Sequence, residues 1–548
     1  MHAGGEPATV ERNDMDYGDM NAPAGAGNTA TTHPHAVDTT KMMRLVSWRV
    51  LPLLALAYAL ALVEKTNIAL AGEGIMRDLQ VSARQFGIAA SVYFVPYTLL
   101  PVPCALLARR GGPSGGLGGM CVCFALAAAA TAAVRSAGGL YAARIALGLT
   151  EAGVVPFVSY VMSLFFGHED IGTAIGEMHL WTGAVSIAMG PAAALFLLLG
   201  ERFSNIMHDW QWLFVLEAVP ALLTGIAIIM FMPDGPRQCS FLTRAEQRVL
   251  AARAEANEAE RVKRSRSLAE VAEAAESGVV ITGTNIHIGV GGGAGGAGGG
   301  HTSILRRLRR FGGPLGQLLK DRRVLALVFA HNFYVCAMYG SVPFFPIILS
   351  GEGERSIAFI AALDAFPTAC WIIANYFYSK HSDATGERIG HMIGGILIGS
   401  GSIFALAWLS QGGYSFPIVY LSYICFQIGV NIYSSPFRAY QADVLPLAAS
   451  AQGFALVNGL GCIGGVIGPA LSGALRDRTG SYAVPLAVLG FFLLISAGIL
   501  ALLLSFGEQP LPRKKSSSKD DDDEMIVLSP ESVEDPLLSS EPLNQRRL

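Results

Sequence analysis

Twelve runs of mostly apolar residues, each long enough to cross a membrane, fill most of the sequence between residues 47 and 506. A helix needs about 20 such residues to span the hydrocarbon core of a bilayer. Charged residues make up only 15% of the chain, against about 25% in an average soluble domain. The sequence therefore predicts an all-α integral membrane protein with twelve transmembrane helices and argues against a soluble enzyme. The runs lie near residues 47–72, 86–109, 117–136, 138–165, 171–199, 210–232, 323–350, 355–379, 388–411, 414–440, 450–476 and 482–506.

The twelve predicted spans fall into two groups of six with nearly equal length. Residues 46–232 form the first predicted half and residues 323–506 the second, and one long connection, residues 233–322, joins them. Equal six-span halves indicate a duplicated transporter architecture, in which the substrate site lies near mid-membrane between the halves. The alternative is a twelve-span protein without transport activity.

Three polar segments lie outside the predicted spans, and their charges indicate the orientation of the chain. Residues 1–45 and the acidic residues 507–548 are expected to be disordered tails, and the central loop, residues 233–322, is rich in Lys and Arg. Positive charge marks the cytoplasmic side of a membrane, so both termini and the loop are predicted to be cytoplasmic. The string Glu534-Asp-Pro-Leu-Leu538 resembles an acidic dileucine sorting signal. It favours a plasma membrane or an endosomal or vacuolar membrane.

The central loop changes character along its length. Thr243-Arg-Ala-Glu246 fits a capping box at the start of a charged helix. Nine of the twelve residues from Gly289 to Gly300 are glycine, and no Gly-Lys-Ser/Thr follows this run. This run is therefore predicted to be a flexible linker rather than a phosphate-binding loop.

Nothing in the sequence points to an enzyme, a metal centre or a bound cofactor. None of the eight cysteines forms a Cys-x-x-Cys pair or has a histidine at metal-ligand spacing. They are interpreted as small buried apolar residues. No Ser/His/Asp or Cys/His arrangement indicates catalysis, and a formal net charge of −3 gives no sign of nucleic-acid binding. Membrane lipid is an expected partner, and the chain is expected to be a monomer.

Four ionisable residues fall inside two predicted spans: Glu64 and Lys65 in the first, and Arg144 and Glu151 in the fourth. An ionisable side chain at the bilayer centre costs about 2.5–3.5 kcal/mol on insertion scales. Arg144 and Glu151 share one helix face and lie about 10 Å apart along the axis, with Gly148 between them. Such residues must face a polar cavity or one another. A structural ion pair near a helix end is the alternative.

Several motifs resemble those of the anion:cation symporter family of the major facilitator superfamily. This family includes bacterial hexuronate and galactonate symporters, fungal nicotinate, pantothenate and allantoate permeases, and animal sialic-acid and phosphate relatives. The resemblance covers residues 45–506 without most of the central loop, and it implies the major facilitator fold. Its motifs are Glu64 to Ile68, Arg144 to Pro156, Trp210 to Glu217, Pro233 to Glu246, Ser382 to Arg388, and Asn458 to Pro469.

The resemblance also implies roles for the charges within the spans. It assigns the coupling proton to Glu151 and makes Glu64 a second proton site or a salt-bridge partner. It assigns the anionic substrate to Lys65, with Arg144 helping to hold the anion or setting the proton affinity of Glu151. The residues that it suggests for substrate binding are Lys65, Asn67, Arg144 and Asn458.

The sequence departs from the family pattern at several positions. Lys65 replaces an arginine, which exchanges a flat bidentate donor for a point charge, and Glu64 replaces an aspartate. His168-Glu-Asp170 replaces a basic loop. These departures leave the identity of the substrate open. For His179, a buried histidine with satisfied hydrogen bonds is favoured over a substrate contact. The secondary site candidates are His179, Ser435, Arg438 and Asp364.

These expectations together describe a secondary active transporter that couples a proton to a small organic anion by alternating access. A carboxyl group in an apolar span suits proton coupling, because loss of hydration favours its protonated form. An anion arriving at Lys65 would screen that cation and favour protonation of Glu151. Two alternatives remain open: a uniporter or exchanger of another small solute, and a nutrient receptor that binds without transporting.

Asp364 in the eighth span and Arg438 in the tenth are predicted to pair, because a lone charge in the membrane is costly. Removing one partner of a buried pair costs about 3–5 kcal/mol, since the other charge is left uncompensated. Asp364→Asn and Arg438→Gln should each lower the yield of folded protein or the transport rate, and the double variant should recover part of the loss. Purely additive losses would instead place Arg438 at a helix end, where it reaches lipid headgroups.

Overall fold

The computed structural model describes residues 37–167, 169–259, 321–351, 355–412, 414–445 and 450–505. Regular secondary structure in these ranges is entirely helical, which confirms the all-α prediction. Eleven of the helices are long and apolar enough to cross a membrane. The second predicted span holds three short consecutive helices, Ala83–Val92, Phe94–Leu99 and Pro101–Ala108, here called α2. In chain order, α1 and α3 to α12 are Thr39–Asp78, Gly112–Thr131, Ala137–Phe165, Ile171–Arg202, Asp209–Phe231, Arg322–Ser350, Ile357–Thr385, Ile389–Leu409, Phe416–Val444, Leu456–Thr479 and Ala483–Leu504.

The predictions for the glycine-rich run and for the dileucine-like string lie outside the described residues, as do most of both predicted tails. Helix α1 begins at Thr39, eight residues before the predicted start of the first span. The side chain of Asp38 accepts a hydrogen bond from the main-chain N–H of Lys41 and so caps the helix. Hydropathy alone misses this start because the first turn is polar.

The outward faces of the helices carry many large apolar side chains. Leu99 and Leu180 are each 70% exposed, and Phe231 is 68% exposed. Soluble proteins rarely leave extended apolar surface in water, whereas lipid covers such surface at no cost. Helices also satisfy their own main-chain hydrogen bonds, as the hydrocarbon core requires. The protein is therefore a multi-pass integral membrane protein.

The described residues pack into two compact units. The first unit contains the described residues up to 259 together with 343–365, and the second contains 321–342 and the described residues from 366 onward. The division falls inside α7, where a short 3-10 turn, Val342–Phe344, interrupts the helix. The bounds predicted for the two six-helix halves stay a prediction.

Within the first unit, α4 packs closely against α2. A Cβ atom added at Gly148 would lie only 2.2 Å from the main-chain oxygen of Tyr93. The sequence position of Gly148, between Arg144 and Glu151, thus brings the face of α4 that carries both charges against Tyr93 of α2. This close approach places Tyr93 beside Arg144 and Glu151, which belong to the candidate site.

The central loop starts with a helix that begins at residue 244 and is described as far as residue 259; it is called the linker helix. The predicted capping box is confirmed. The N–H of Glu246 donates to the hydroxyl of Thr243 at 3.3 Å, and the N–H of Thr243 donates to the carboxylate of Glu246 at 2.8 Å. These hydrogen bonds from the main chain and the hydroxyl of Thr243 lower the pKa of Glu246 below its ordinary value.

The linker helix packs against other parts of the first unit through apolar and charged contacts. Leu250 is buried, and the guanidinium of Arg253 lies 3.7 Å from the carboxylate of Glu169 and 3.6 Å from that of Asp170. These two acids stand where the symporter family has a basic loop. The two acids that replace the basic loop therefore pair with a basic residue of the linker helix.

In the second unit, α11 packs against α7 through glycines. The spacing of Gly464 and Gly468 predicts close helix packing, and the structure confirms it. A Cβ atom at Gly464 would lie 2.2 Å from the main-chain oxygen of Asn332, and one at Gly468 would lie 2.2 Å from that of Cys336. No side chain fits at either position without moving the backbone.

All eight cysteines are free. The interpretation of the cysteines as buried apolar residues is confirmed for Cys121, Cys239 and Cys336. It is wrong for Cys123, which is exposed. Cys123 follows Cys121 by two positions on α3, so the two side chains point to different sides of the helix, one inward and the other outward.

The α7–α11 contact generates a stability prediction. Gly468→Ala should destabilise the protein by about 1–3 kcal/mol, because the added methyl group overpacks the contact with the α7 backbone. Gly459→Ala is the matched control on the same helix, since a Cβ atom there meets nothing within 4 Å. Thermal unfolding of the detergent-purified variants measures the difference. Equal unfolding temperatures for both variants would show that α11 does not pack as described.

Candidate functional site

The charged residues of the first unit lie where two helices are interrupted. Helix α1 consists of Thr39–Thr66 and Ile68–Asp78, which meet at Asn67. Helix α4 consists of Ala137–Glu151 and Val154–Phe165. In membrane proteins, interrupted helices are tolerated where they are buried in protein or line a cavity, and transporters build solute sites from them.

Arg144 is buried and joins α4 to α1. Its Nη1 lies 3.5 Å from the main-chain oxygen of Glu64, and its Nη2 lies 3.2 Å from that of Lys65. The guanidinium also lies 5.0 Å from the centre of the Tyr93 ring. Arg144 thus donates hydrogen bonds to carbonyl groups of α1, which are neutral acceptors and leave its positive charge in the site.

Glu151 is buried on the same face of α4 as Arg144, two helical turns further along the helix. The hydroxyl of Tyr93 donates a hydrogen bond to its Oε2 at 2.5 Å. Its Oε1 is buried without a hydrogen-bond partner in the described part of the chain. Tyr93 therefore contacts both predicted α4 residues, the carboxylate through its hydroxyl and the guanidinium of Arg144 through its ring. Sequence reasoning missed Tyr93, because only the packing of α2 against Gly148 brings it there.

Lys65 is 9% exposed and lies against aromatic rings of α2. Its Nζ is 4.5 Å from the centre of the Tyr97 ring and 5.0 Å from that of Phe94. Aromatic faces attract a cation without cancelling its charge. Lys65 also interacts electrostatically with Glu151.

A third buried acid, Glu217 of α6, completes the cluster. It is 1% exposed, and its Oε2 accepts a hydrogen bond from the side-chain amide of Asn67. Glu64 is equally buried and interacts electrostatically with Glu151, Arg144 and Glu217. The sequence contains a signal for Glu217, the Trp210 to Glu217 motif, but this motif alone indicates no role for the residue.

The five buried charges do not balance if all of them are ionised. Glu64, Glu151 and Glu217 would carry three negative charges, and Lys65 and Arg144 two positive charges. An excess charge away from water is costly, because a medium of low polarity solvates it poorly. The cluster is therefore suited to exchanging protons.

The second unit contains an aromatic cluster that the sequence did not reveal. The ring of His331 on α7 stacks on Phe437 with centroids 4.3 Å apart, and the hydroxyl of Tyr433 lies 3.5 Å from its Nδ1. Tyr334 packs against Tyr433 with centroids 4.1 Å apart. These residues come from α7 and α10 and meet only in the fold.

Asn458, the predicted substrate contact in α11, donates a hydrogen bond from Nδ2 to Oε1 of Gln441 at 3.2 Å. Gln441 is fully buried, and its own Nε2 has no hydrogen-bond partner among the described residues. Ser435 donates to the side chain of Asn375 at 3.1 Å. The substrate roles of Asn67, Asn458 and Ser435 stay predictions, and their amide or hydroxyl groups already hold protein partners.

The remaining secondary candidates differ in position. Arg438 is exposed, with Nη2 at 3.5 Å from the hydroxyl of Ser434. Asp364 lies in the first unit, between the two segments of α8, so its predicted pairing with Arg438 stays a prediction. The prediction that His179 is buried is wrong. This ring is exposed on α5, and its Nδ1 lies 2.8 Å from the main-chain oxygen of Ile175.

The sequence matches the Major Facilitator Superfamily over residues 54–362 and 327–545. The chain belongs to this superfamily, which is one of membrane transporters. The match confirms the predicted fold class, and it accords with the resemblance to anion symporters.

Named relatives and solved structures agree with this assignment. A protein of Agrobacterium vitis named as a tartrate transporter is 26% identical over 474 residues, which cover 85% of this chain and 91% of the relative. A quinolone resistance transporter of Acinetobacter baumannii is 25% identical and covers 83% of this chain and 92% of its own. A bacterial homologue of the human lysosomal transporter Spinster shares the fold, with a TM-score of 0.59 and 15% identity over 83% of this chain and 96% of that structure.

The position of Lys65 generates a binding prediction. Lys65→Ala should weaken carboxylate binding at least about tenfold, because one charge acts more strongly in a buried site than in water. Lys65→Arg should retain binding. Lys380→Ala is the matched control, since Lys380 also lies over a tyrosine ring, 4.7 Å from the centre of Tyr376. Equilibrium binding of tartrate and a panel of monocarboxylates measures the effect, and unchanged affinity in Lys65→Ala would make Lys65 a structural residue.

Proposed function

We propose that this protein is a secondary active transporter that carries a small organic anion together with a proton. The observation that supports this most strongly is the buried contact of Glu151 with Tyr93, beside Arg144 and within the electrostatic reach of Lys65. A carboxyl group and two cations that are buried together can bind a proton and an anion so that each binding event favours the other.

In the proposed mechanism, the anion binds near Lys65 and Arg144 and reduces their attraction for Glu151. Glu151 then takes a proton, because the two cations now stabilise its negative charge less strongly. A monoanion and one proton together add no net charge to the site, so the loaded carrier buries no more charge than the empty one. Both forms can therefore reorient by movement of one helical half against the other.

The relatives support an anionic substrate without identifying it. Two Agrobacterium vitis proteins named as tartrate transporters, each 26% identical, cover 85% of this chain. A dianion such as tartrate would need two protons for the same charge balance. The alternatives are a uniporter or exchanger of another solute and a non-transporting receptor; uptake driven by a pH gradient separates both from a symporter.

We also propose that both termini face the cytoplasm and that the transporter acts as a monomer. Lys41, Arg44 and Arg49 at the start of α1, and Arg109 and Arg110 after α2, place positive charge on one side of the membrane. The linker helix, which carries Arg253, would lie on that same side. Labelling of an introduced cysteine at either terminus in intact cells tests the orientation.

The mechanism predicts that Glu151→Gln separates transport from its driving force. The amide resembles the protonated carboxyl but cannot release a proton, so accumulation against a gradient should disappear while exchange of labelled for unlabelled anion persists. Uptake into vesicles with and without an inward proton gradient measures both activities. Glu177→Gln is the control, since Glu177 is exposed on α5. Undiminished uphill uptake in Glu151→Gln would refute the proton assignment.

A further inference from the structure

Tyr93 lies at an interruption of α2, directly against the charged face of α4. The segment Ala83–Val92 ends just before it, and Phe94–Leu99 begins just after it. Its side chain is fully buried, and its main-chain oxygen would lie 2.2 Å from a Cβ atom at Gly148. The backbone at Tyr93 is therefore fixed against α4, at a level between the two charged residues of that helix.

Different parts of the Tyr93 side chain contact the acid and the cation of α4. The hydroxyl donates a hydrogen bond to Oε2 of Glu151 at 2.5 Å, and the ring centre lies 5.0 Å from the guanidinium carbon of Arg144. The ring also stacks on that of Tyr97, with centroids 5.4 Å apart. The Nζ of Lys65 lies 4.5 Å from the centre of the Tyr97 ring. One residue thus contacts Glu151 and Arg144 directly, and it reaches Lys65 through a second ring.

The hydroxyl of Tyr93 supports the ionised form of Glu151. A hydrogen bond donated to a carboxylate favours that form over the protonated one. The Oε1 of Glu151 is buried and has no hydrogen-bond partner among the residues that the structure describes, so the hydrogen bond at Oε2 matters more. Protonation of Glu151 weakens this bond, because a neutral carboxyl oxygen is a poorer acceptor than a carboxylate oxygen.

We propose that Tyr93 is a positioning residue that sets the pH at which Glu151 exchanges its proton and that links this exchange to the cations of the site. The hydroxyl keeps Glu151 ionised in the empty carrier, and the ring holds Arg144 beside it. The inference deepens the proposed function and rests on it, because Glu151 must be the residue that carries the transported proton.

Replacement of Tyr93 by phenylalanine isolates the contribution of the hydroxyl. Tyr93→Phe keeps the ring beside Arg144 and Tyr97 and leaves the other charges around Glu151 unchanged. The charged or titratable groups that face Glu151 are Arg144 on its own helix, Tyr93 on α2, Glu64 and Lys65 on α1, and Cys121 on α3.

Infrared titration of the purified full chain tests the proposal without any added substrate. The carbonyl stretch of protonated Glu151 is identified by its absence in Glu151→Gln, and the pH at which half of this signal has disappeared is its midpoint. In Tyr93→Phe the midpoint should move to higher pH by about one to two units, the effect expected for one hydrogen bond to a charged group. The ionised carboxylate has then lost its donor, so the protonated form persists to higher pH.

Tyr378→Phe is the matched control for the loss of a hydroxyl. Tyr378 lies in the second unit, where its hydroxyl donates to the main-chain oxygen of His391 at 2.8 Å. The midpoint of Glu151 should not move in this variant.

Replacement of Tyr93 with 3-fluorotyrosine tests the same contact if Tyr93→Phe does not fold. Fluorine beside the hydroxyl makes it a stronger donor and adds little volume, so the midpoint should move to lower pH. General loosening of the site would not move the midpoint in opposite directions in the two Tyr93 proteins.

The outcomes separate this proposal from the proposed function. An unshifted midpoint in Tyr93→Phe or in the fluorotyrosine protein would overturn the role of Tyr93, and so would an equal shift in Tyr378→Phe. The assignment of the proton to Glu151 would stand in each case. If Glu151→Gln removed no titrating carboxyl signal, the proposed function itself would be refuted.

Transport supplies a second readout that a merely structural role of Tyr93 would not move. With the vesicle interior at neutral pH, Tyr93→Phe should lose most of its uphill anion uptake, because Glu151 releases its proton poorly. Raising the interior pH by about two units, with the inward proton gradient maintained, should restore uptake. Glu151→Gln has no proton to release and should not be restored. If an alkaline interior does not restore uptake in Tyr93→Phe, the proposal is wrong.

Discussion

The burial of a group of charged side chains is the constraint on which the first unit depends. Five ionisable residues, from α1, α4 and α6, are buried together. A protein with about 5–15 kcal/mol of net stability cannot bury uncompensated charges of this kind, and single intramembrane charges cost about 2.5–3.5 kcal/mol each on insertion scales. Binding of one proton would relieve the imbalance, because it neutralises one carboxylate.

The local structure follows from this constraint. The interruption at Asn67 lies beside the carbonyl groups of α1 that accept the hydrogen bonds of Arg144. Gly148 permits the approach of Tyr93, whose hydroxyl and ring contact Glu151 and Arg144. Neutral partners thus hold Arg144 and Glu151 in place, and both groups can respond to a proton or an anion. A fixed salt bridge in the same place would stabilise one state and would resist exchange.

The sequence was sufficient for features that lie within one helix. Hydropathy located the eleven helices of the described residues that are long and apolar enough to cross a membrane. The seven-residue spacing of Arg144 and Glu151 placed both on one face, where the structure buries them. The sequence does not show which side chains of different helices contact one another. Tyr93 and Glu217 enter the site through the packing of α2 and α6, and His331 meets Phe437 only when α7 and α10 come together.

Other differences have equally local causes. The start of α1 depends on the Asp38 cap rather than on hydropathy. The acids Glu169 and Asp170 gain a partner only when the linker helix docks. Burial of His179 was expected from its place in an apolar span, but a residue in such a span can face outward as well as inward. Hydropathy identifies the helix, whereas the packing of the helices determines which face of it is buried.

The central claim is that anion entry and proton entry are one event in this protein. It is tested most directly by placing the purified protein in sealed vesicles without a pH gradient and adding an inward gradient of tartrate or another carboxylate that binds. If the claim is correct, the external medium becomes alkaline as the anion enters, and an added proton carrier abolishes the pH change. Entry of the anion without any change of external pH would contradict it.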